Sequence, residues 1–149
     1  MANKFLILSA VAAIFMVTSC SVEPEPIDYG SNQCDFCKMN IVDQQHSAQY
    51  VTHKGKQFKF DAIECMVRKL DSEELNEYDL EYVLVADYSH PGEMMNVESA
   101  TFLISNYIKS PMGAYLTAFS SEEVAIEIAQ THGGDVYNWI DLKSQLLKK

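Results

Sequence analysis

The sequence predicts an α+β fold made of two similar ββαβ units that share one core. Three observations carry this expectation. The order strand, strand, helix, strand can be read twice along the chain. A Phe and a helix-capping residue stand at each strand-to-helix junction, as Phe60-Asp61 and Phe119-Ser120. Each half is about 40 residues, too short to bury a core by itself, so the two are expected to pack on each other.

The chain opens with material that is not part of this fold. Residues 1–4 are short and positively charged, and residues 5–17 are mostly apolar but too few to span a bilayer as a stop-transfer helix. This is the grammar of an export signal. It ends Val17-Thr18-Ser19-Cys20, small residues before a cysteine, which resembles a bacterial lipobox. The resemblance implies a lipoprotein signal peptide over residues 1–19 and lipidation of Cys20. Residues 20–33 contain Glu23, Pro24, Glu25, Pro26, Asp28 and Gly30 and offer little to bury, so they are expected to be a flexible tether. The folded domain is placed at residues 34–149, with repeat halves at about 34–88 and 98–141.

In the first half, Gln49, Tyr50, Val51 and Thr52 read as a strand, His53-Lys54-Gly55-Lys56 as a turn, and Gln57-Phe58-Lys59-Phe60 as its hairpin partner. Asp61 followed by Glu64 has capping-box spacing. Ile63, Met66, Val67 and Leu70 then recur at helical intervals, and Cys65 falls away from their stripe. An acidic, polar stretch leads to Tyr82-Val83-Leu84-Val85-Ala86, a β-branched run that reads as a buried strand, and to the turn Ser89-His90-Pro91-Gly92. Met94-Met95 is placed in a loop.

The second half starts with an apolar strand over residues 100–108, broken at Ser110-Pro111-Met112-Gly113, and continues with a strand over residues 114–119. Ser120 with Glu123 is a second capping box. The helix that follows, with Val124 and Ile128 inward, stops at Gly133. Residues 135–140 read as the closing strand. Leu142, Leu146 and Leu147 mark a short C-terminal helix ending in lysines.

With 21 acidic and 11 basic residues, the net charge of −10 argues against nucleic acid as a partner, because nucleic-acid binders carry basic patches. It predicts instead a docking partner that presents basic residues. With Cys20 lipidated, three cysteines remain: Cys34, Cys37 and Cys65. An odd number outside the cytoplasm speaks against a closed disulfide framework.

The chemistry concentrates in Cys34-Asp35-Phe36-Cys37-Lys38-Met39, which places two thiols and a thioether within six residues. Thiolate and thioether sulfur are soft donors, and together they suit Cu(I). A bare CxxC pair also occurs in redox enzymes and as half of zinc sites. The Met two residues after Cys37 tilts the reading toward copper.

These pieces together resemble the NosL family of nitrous oxide reductase accessory lipoproteins. The matching residues are the lipobox ending in Cys20, the Cys34-x-x-Cys37-x-Met39 block, Phe60-Asp61 with Cys65-Met66, Met112-Gly113-Ala114, Phe119, and His132-Gly133-Gly134. Many family members have Gly where this chain has Lys38. The resemblance implies a membrane-anchored periplasmic copper chaperone of the cell envelope. It would bind Cu(I) and work with a membrane transporter complex to supply nitrous oxide reductase. It implies no catalysis, and a fold of two ββαβ units.

The candidate metal ligands are Cys37, Met39, Met112, Cys34 and Cys65. Cys37 and Met39 share a face if their backbone is extended. Met112 lies in the corresponding segment of the second half, where pseudo-symmetric packing would bring it near the first-half sulfurs. Met39 and Met112 also suit ordinary core packing, and Cys34 with Cys37 suits a disulfide. His46 is the reserve ligand, His132 reads as a helix cap, and Asp61 reads as an N-cap before a functional acid. The competing functions are a thiol–disulfide redox lipoprotein using Cys34 and Cys37, a general envelope copper-handling lipoprotein, a zinc module and a scaffold.

Overall fold

The computed structural model describes residues 21–148. The expected signal peptide and Cys20 lie outside the described residues. Two antiparallel sheets and three helices form a mixed α+β domain.

The first sheet has the order β2-β1-β3-β4, built from β1 (Ala48–Thr52), β2 (Gln57–Phe60), β3 (Leu80–Ala86) and β4 (Met94–Asn96). Gly55, at φ 80°, sits in the turn between β1 and β2, a conformation that favours glycine. Helix α1 (Ile63–Ser72) and a short 3-10 turn (Glu77–Asp79) connect β2 to β3. The second sheet has the order β6-β5-β7, from β5 (Thr101–Ile104), β6 (Leu116–Phe119) and β7 (Asp135–Tyr137). Helix α2 (Glu122–His132) joins β6 to β7, and α3 (Trp139–Leu146) follows. In each sheet the earliest strand in the chain pairs with its hairpin partner on one side and with the strand after the helix on the other.

The main core draws on both sheets. Tyr50, Phe60, Ile63, Met66 and Leu70 are buried in one cluster with Phe102, Leu116, Ala118, Trp139 and Leu142. A second, smaller cluster joins Leu103, Ile108, Phe119 and Ala125 on the α2 side. Neighbouring strand residues face opposite ways, so Phe102 and Ala118 serve the main core while Leu103 and Phe119 serve the small one. Strands β5 and β6 are therefore covered on both faces, while β7 remains largely exposed.

Several expectations are corrected. Residues 23–29 are not a free tether. The Gln57 and Gln49 side-chain amides donate to the carbonyls of Glu23 and Glu25, Lys59 Nζ donates to the carbonyl of Pro26, and Ile27 enters the main core. Polar side chains on β1 and β2 thus satisfy a segment whose own composition offers little. Met94 and Met95 lie in β4, paired with Ala86 and Val85, and not in a loop. The closing strand ends at Tyr137. Asn138 accepts the Asp141 N–H at 2.9 Å and so caps α3, which takes Trp139 and Ile140 into a helix. Trp139 then packs on Phe102, with ring centroids 5.6 Å apart.

The capping assignments also move. Ser121, not Ser120, caps α2 by accepting the Val124 N–H. Ser120 instead donates to Asp87 at 2.6 Å. Asp61 does not cap α1: the N-cap is Ala62, and no side chain caps that end. The Asp61 side chain faces the thiols.

Candidate metal centre

The site is assembled from a loop and a strand-to-helix junction. Residues 33–40 close on themselves: Gln33 and Asn40 form an isolated antiparallel bridge, the Cys34 N–H donates to the Met39 carbonyl at 2.8 Å, and the Lys38 N–H donates to the Cys34 carbonyl at 3.0 Å. Lys38 takes φ 68° to complete the turn. Asp35 fixes this loop to β2. Its N–H donates to the Lys59 carbonyl at 2.8 Å, and its carboxylate accepts the Lys59 N–H at 2.8 Å. Asp61 follows directly after the end of β2, two residues beyond Lys59, and the first turn of α1 supplies Cys65.

Cys34, Cys37, Asp61 and Cys65 therefore converge, and one potential ligand atom from each lies within 4.8 Å of all the others. Cys34, Cys65 and Asp61 are buried, and Cys37 is partly exposed, so access is from the Cys37 side. All three cysteines are free thiols. The Cys37 thiol donates to Asp61 Oδ1 at 3.4 Å, and Asp61 Oδ2 is buried with no hydrogen-bond partner among the described residues. Leaving a buried acceptor unpaired costs about 1–3 kcal/mol. A cation seated among the four groups would satisfy it.

The thiols are not equivalent. The hydrogen bond from Cys65 holds the Cys34 thiol down at about 6, against the opposing effect of burial. Cys65, as the donor to that thiolate and itself buried, is pushed far up. Burial, above all, raises Cys37 to about 11. Ionisation is favoured at Cys34 over Cys37 and Cys65, and a metal would displace thiol protons as it bound.

The structure brings together three of the five candidate ligands. Met39 is 52% exposed, at the mouth of the loop. The turn around Lys38 is not extended, so the premise that Cys37 and Met39 share a strand face does not hold. Met112 is half-buried against the main core, in the segment leading to β6. Cys65 is fully buried, because α1 is enclosed on nearly all sides over its first five residues. His46 is excluded as a reserve ligand: its ring nitrogens engage Asp43 at 3.0 Å and Thr117 at 3.4 Å. His132 is the last residue of α2 and stacks on Tyr107, while Gly133 is the cap.

Two acids escaped the ligand assignment. Asp61 belongs to the cluster, and Glu64 is almost wholly buried with Oε2 lacking a hydrogen-bond partner among the described residues. No helical spacing signalled Asp61, because it stands before the N-cap Ala62 and outside α1.

A small α+β domain with a preassembled cluster of three thiols and a carboxylate belongs to the class of thiol-rich domains able to hold a metal ion. The pattern of the NosL family matches residues 27–147, and the chain belongs to that family. It is similar to the copper-binding lipoprotein NosL of Stutzerimonas stutzeri, with 27% identity over 157 residues, covering 95% of this chain and 82% of that protein. Its fold is similar to the crystal structure of the copper chaperone NosL from Shewanella denitrificans. The TM-score there is 0.63 at 22% identity, covering 81% of this chain and 96% of that one.

Proposed function

We propose that this chain is a copper chaperone that binds Cu(I) and releases it to a partner, and that it catalyses no reaction of its own. The observation that carries this reading is the convergence of Cys34, Cys37, Cys65 and Asp61, with only Cys37 partly open to solvent. Three sulfurs hold a soft cation, and a partly exposed thiol lets an acceptor attack the ion by ligand exchange. Cys37 is the shared ligand at the mouth, and Met39 and Met112 are weaker, neutral donors that complete the shell during entry and exit.

The signal segment supports cleavage after residue 19 and anchoring through a lipid on Cys20, facing the periplasm. Among the described residues no helix is long and apolar enough to cross a membrane, so the lipid would carry the attachment. Family membership and the names of the relatives support copper binding and a chaperone role, and the motif resemblance extends this to delivery toward nitrous oxide reductase through its membrane transporter complex. The repeated order of strands and helices supports descent of the two halves from one ββαβ unit.

The Asp61 carboxylate favours one rival, because three thiolates and a carboxylate also suit tetrahedral Zn(II). One experiment separates the two. The full-length chain, reduced and in detergent, is titrated anaerobically with Cu(I) against a competing chelator, with Zn(II) in parallel. Cys37→Ser, Met39→Leu and Met112→Leu are run beside it. Tight one-to-one Cu(I) binding that each change weakens supports the chaperone site. Zn(II) binding that outcompetes Cu(I), or no Cu(I) binding, overturns it.

A further inference from the structure

We propose that Glu64 is a positioning residue that holds Met112 at the copper centre, an inference that rests on Met112 being a copper donor. Glu64 stands in the first turn of α1, only 1% exposed. The Glu64 carboxylate interacts with its own backbone N–H at the helix start, where the N-cap residue Ala62 offers no side-chain cap. Glu64 Oε1 also reaches a segment about fifty residues further along the chain. It accepts the Ala114 N–H at 3.3 Å and the Ser110 hydroxyl at 3.5 Å. Those two partners flank Met112 on either side.

The segment needs such a fastening. It bends through a turn in which the Gly113 N–H donates to the Ser110 carbonyl. Gly113 and Tyr115 both take left-handed backbone angles, at φ 78° and 56°. An apolar residue would be the ordinary occupant of the Glu64 position, because Oε2 is buried without a partner among the described residues. A carboxylate is kept where its geometry is worth more than its desolvation. Glu64 adjoins Cys65 and lies one helical turn beyond Asp61. The first turn of α1 therefore carries the cluster residue Cys65 and the fastening for the segment that bears Met112, with Asp61 just before the helix, so the donors from both halves are referenced to one rigid element.

The test uses the full-length chain in detergent, reduced, with Cu(I) affinity read against a chelator and the Met112 methyl resonance followed by NMR. Glu64→Gln keeps an acceptor at Oε1 and should bind Cu(I) within about threefold of the parent. Glu64→Leu should weaken binding by about tenfold or more, the range for removing a residue that orients a ligand. Ser110→Ala, outside the helix, should give a smaller loss. Combining Glu64→Leu with Met112→Leu should add nothing to Met112→Leu alone, and Glu64→Leu should reduce the shift of the Met112 methyl on copper addition. If Glu64→Leu and Ser110→Ala both leave affinity and methyl shift unchanged while Met112→Leu weakens binding, the positioning role is overturned and the ligand reading stands. Full additivity of Glu64→Leu with Met112→Leu overturns it too. If Met112→Leu has no effect and its methyl does not respond to Cu(I), both fall together.

Discussion

Asp35 and Lys59 exchange two hydrogen bonds of 2.8 Å, one from each backbone N–H, and this pair sets where the CxxC loop meets the sheet. One bond runs to the Lys59 carbonyl and the other to the Asp35 carboxylate. Asp35 stands between the two cysteines of the loop, and Lys59 stands two residues before Asp61. The pair therefore couples the loop thiols to the junction that supplies Asp61 and Cys65. Asp35→Ala removes one of the two bonds and no donor from the cluster. The expected result is a stability loss of about 1–2 kcal/mol and Cu(I) affinity lower by about tenfold. Chemical denaturation and chelator competition measure the two. Unaltered affinity would mean that the loop presents its cysteines without help from β2.

Lys38 occupies a left-handed position at φ 68°, a conformation that favours glycine. Such a conformation costs a non-glycine residue about 1–2 kcal/mol. Glycine brings about 0.4–1 kcal/mol of extra unfolded-state freedom. Lys38→Gly should therefore raise stability, by less than about 1 kcal/mol, and leave Cu(I) affinity unchanged because it removes no donor. Urea denaturation of the metal-free chain is the check. A lower midpoint would show that the Lys38 Nζ bond to the Asp35 carbonyl outweighs the backbone strain.

Asp61 sets stability against binding. Its Oδ2 is buried and unpartnered among the described residues, so the metal-free fold carries the cost of that orphan. Asp61→Ala should leave the metal-free chain as stable as the parent or up to about 1 kcal/mol more stable. The same change should shrink the thermal stabilisation by copper, which for a single tight site reaches about 2.7 kcal/mol at a ligand excess of a hundredfold over Kd. Melting curves with and without Cu(I) give both quantities. A variant that is less stable without metal and still fully stabilised by it would place Asp61 in the fold and not in the site.

Asp87 ties the two sheets together. At the end of β3 it accepts the Ser120 hydroxyl beyond β6, and it also accepts from His90. Burial would raise its carboxyl, but the bonds from His90 and Ser120 together hold it below its ordinary 3.8. A depressed carboxyl contributes stability that is present above its unfolded value and lost as pH falls through the folded one. The parent should therefore lose stability steeply below about pH 4, and Asp87→Asn should show a shallower acid limb. Denaturation midpoints between neutral and acid pH decide it. Parallel acid limbs would remove Asp87 as a source of the pH dependence.

Local patterns announced most of the elements. The hairpin over residues 48–60, the helix stripe of Ile63, Met66, Val67 and Leu70, and the stop of α2 at Gly133 all depend on neighbours within a few positions, and each stands where the pattern put it. Errors fell where a distant partner overrode the local signal. Residues 23–29 lack apolar content, yet β1 and β2 supply their hydrogen bonds. Trp139 and Ile140 suit a strand by composition, but the Asn138 cap and the Phe102 ring draw them into α3. Ser120 has the right type for a cap, but Asp87 takes its hydroxyl.

The candidate site divides in the same way. By itself the sequence put forward Cys37, Met39, Met112, Cys34 and Cys65 as candidate donors, because soft sulfur chemistry is a property of residue type and the CxxC spacing keeps two thiols within one turn. Only the tertiary structure decided that Cys65 faces Cys34, that Asp61 turns to the thiols and leaves the helix end uncapped, and that Glu64 fastens the segment around Met112. Those outcomes depend on where the loop of residues 33–40, the junction at residue 61 and the segment of residues 110–114 come to rest on one another. That is fixed by burial of a core drawn from both sheets, an energy summed over residues far apart in the chain, which no local window of sequence contains.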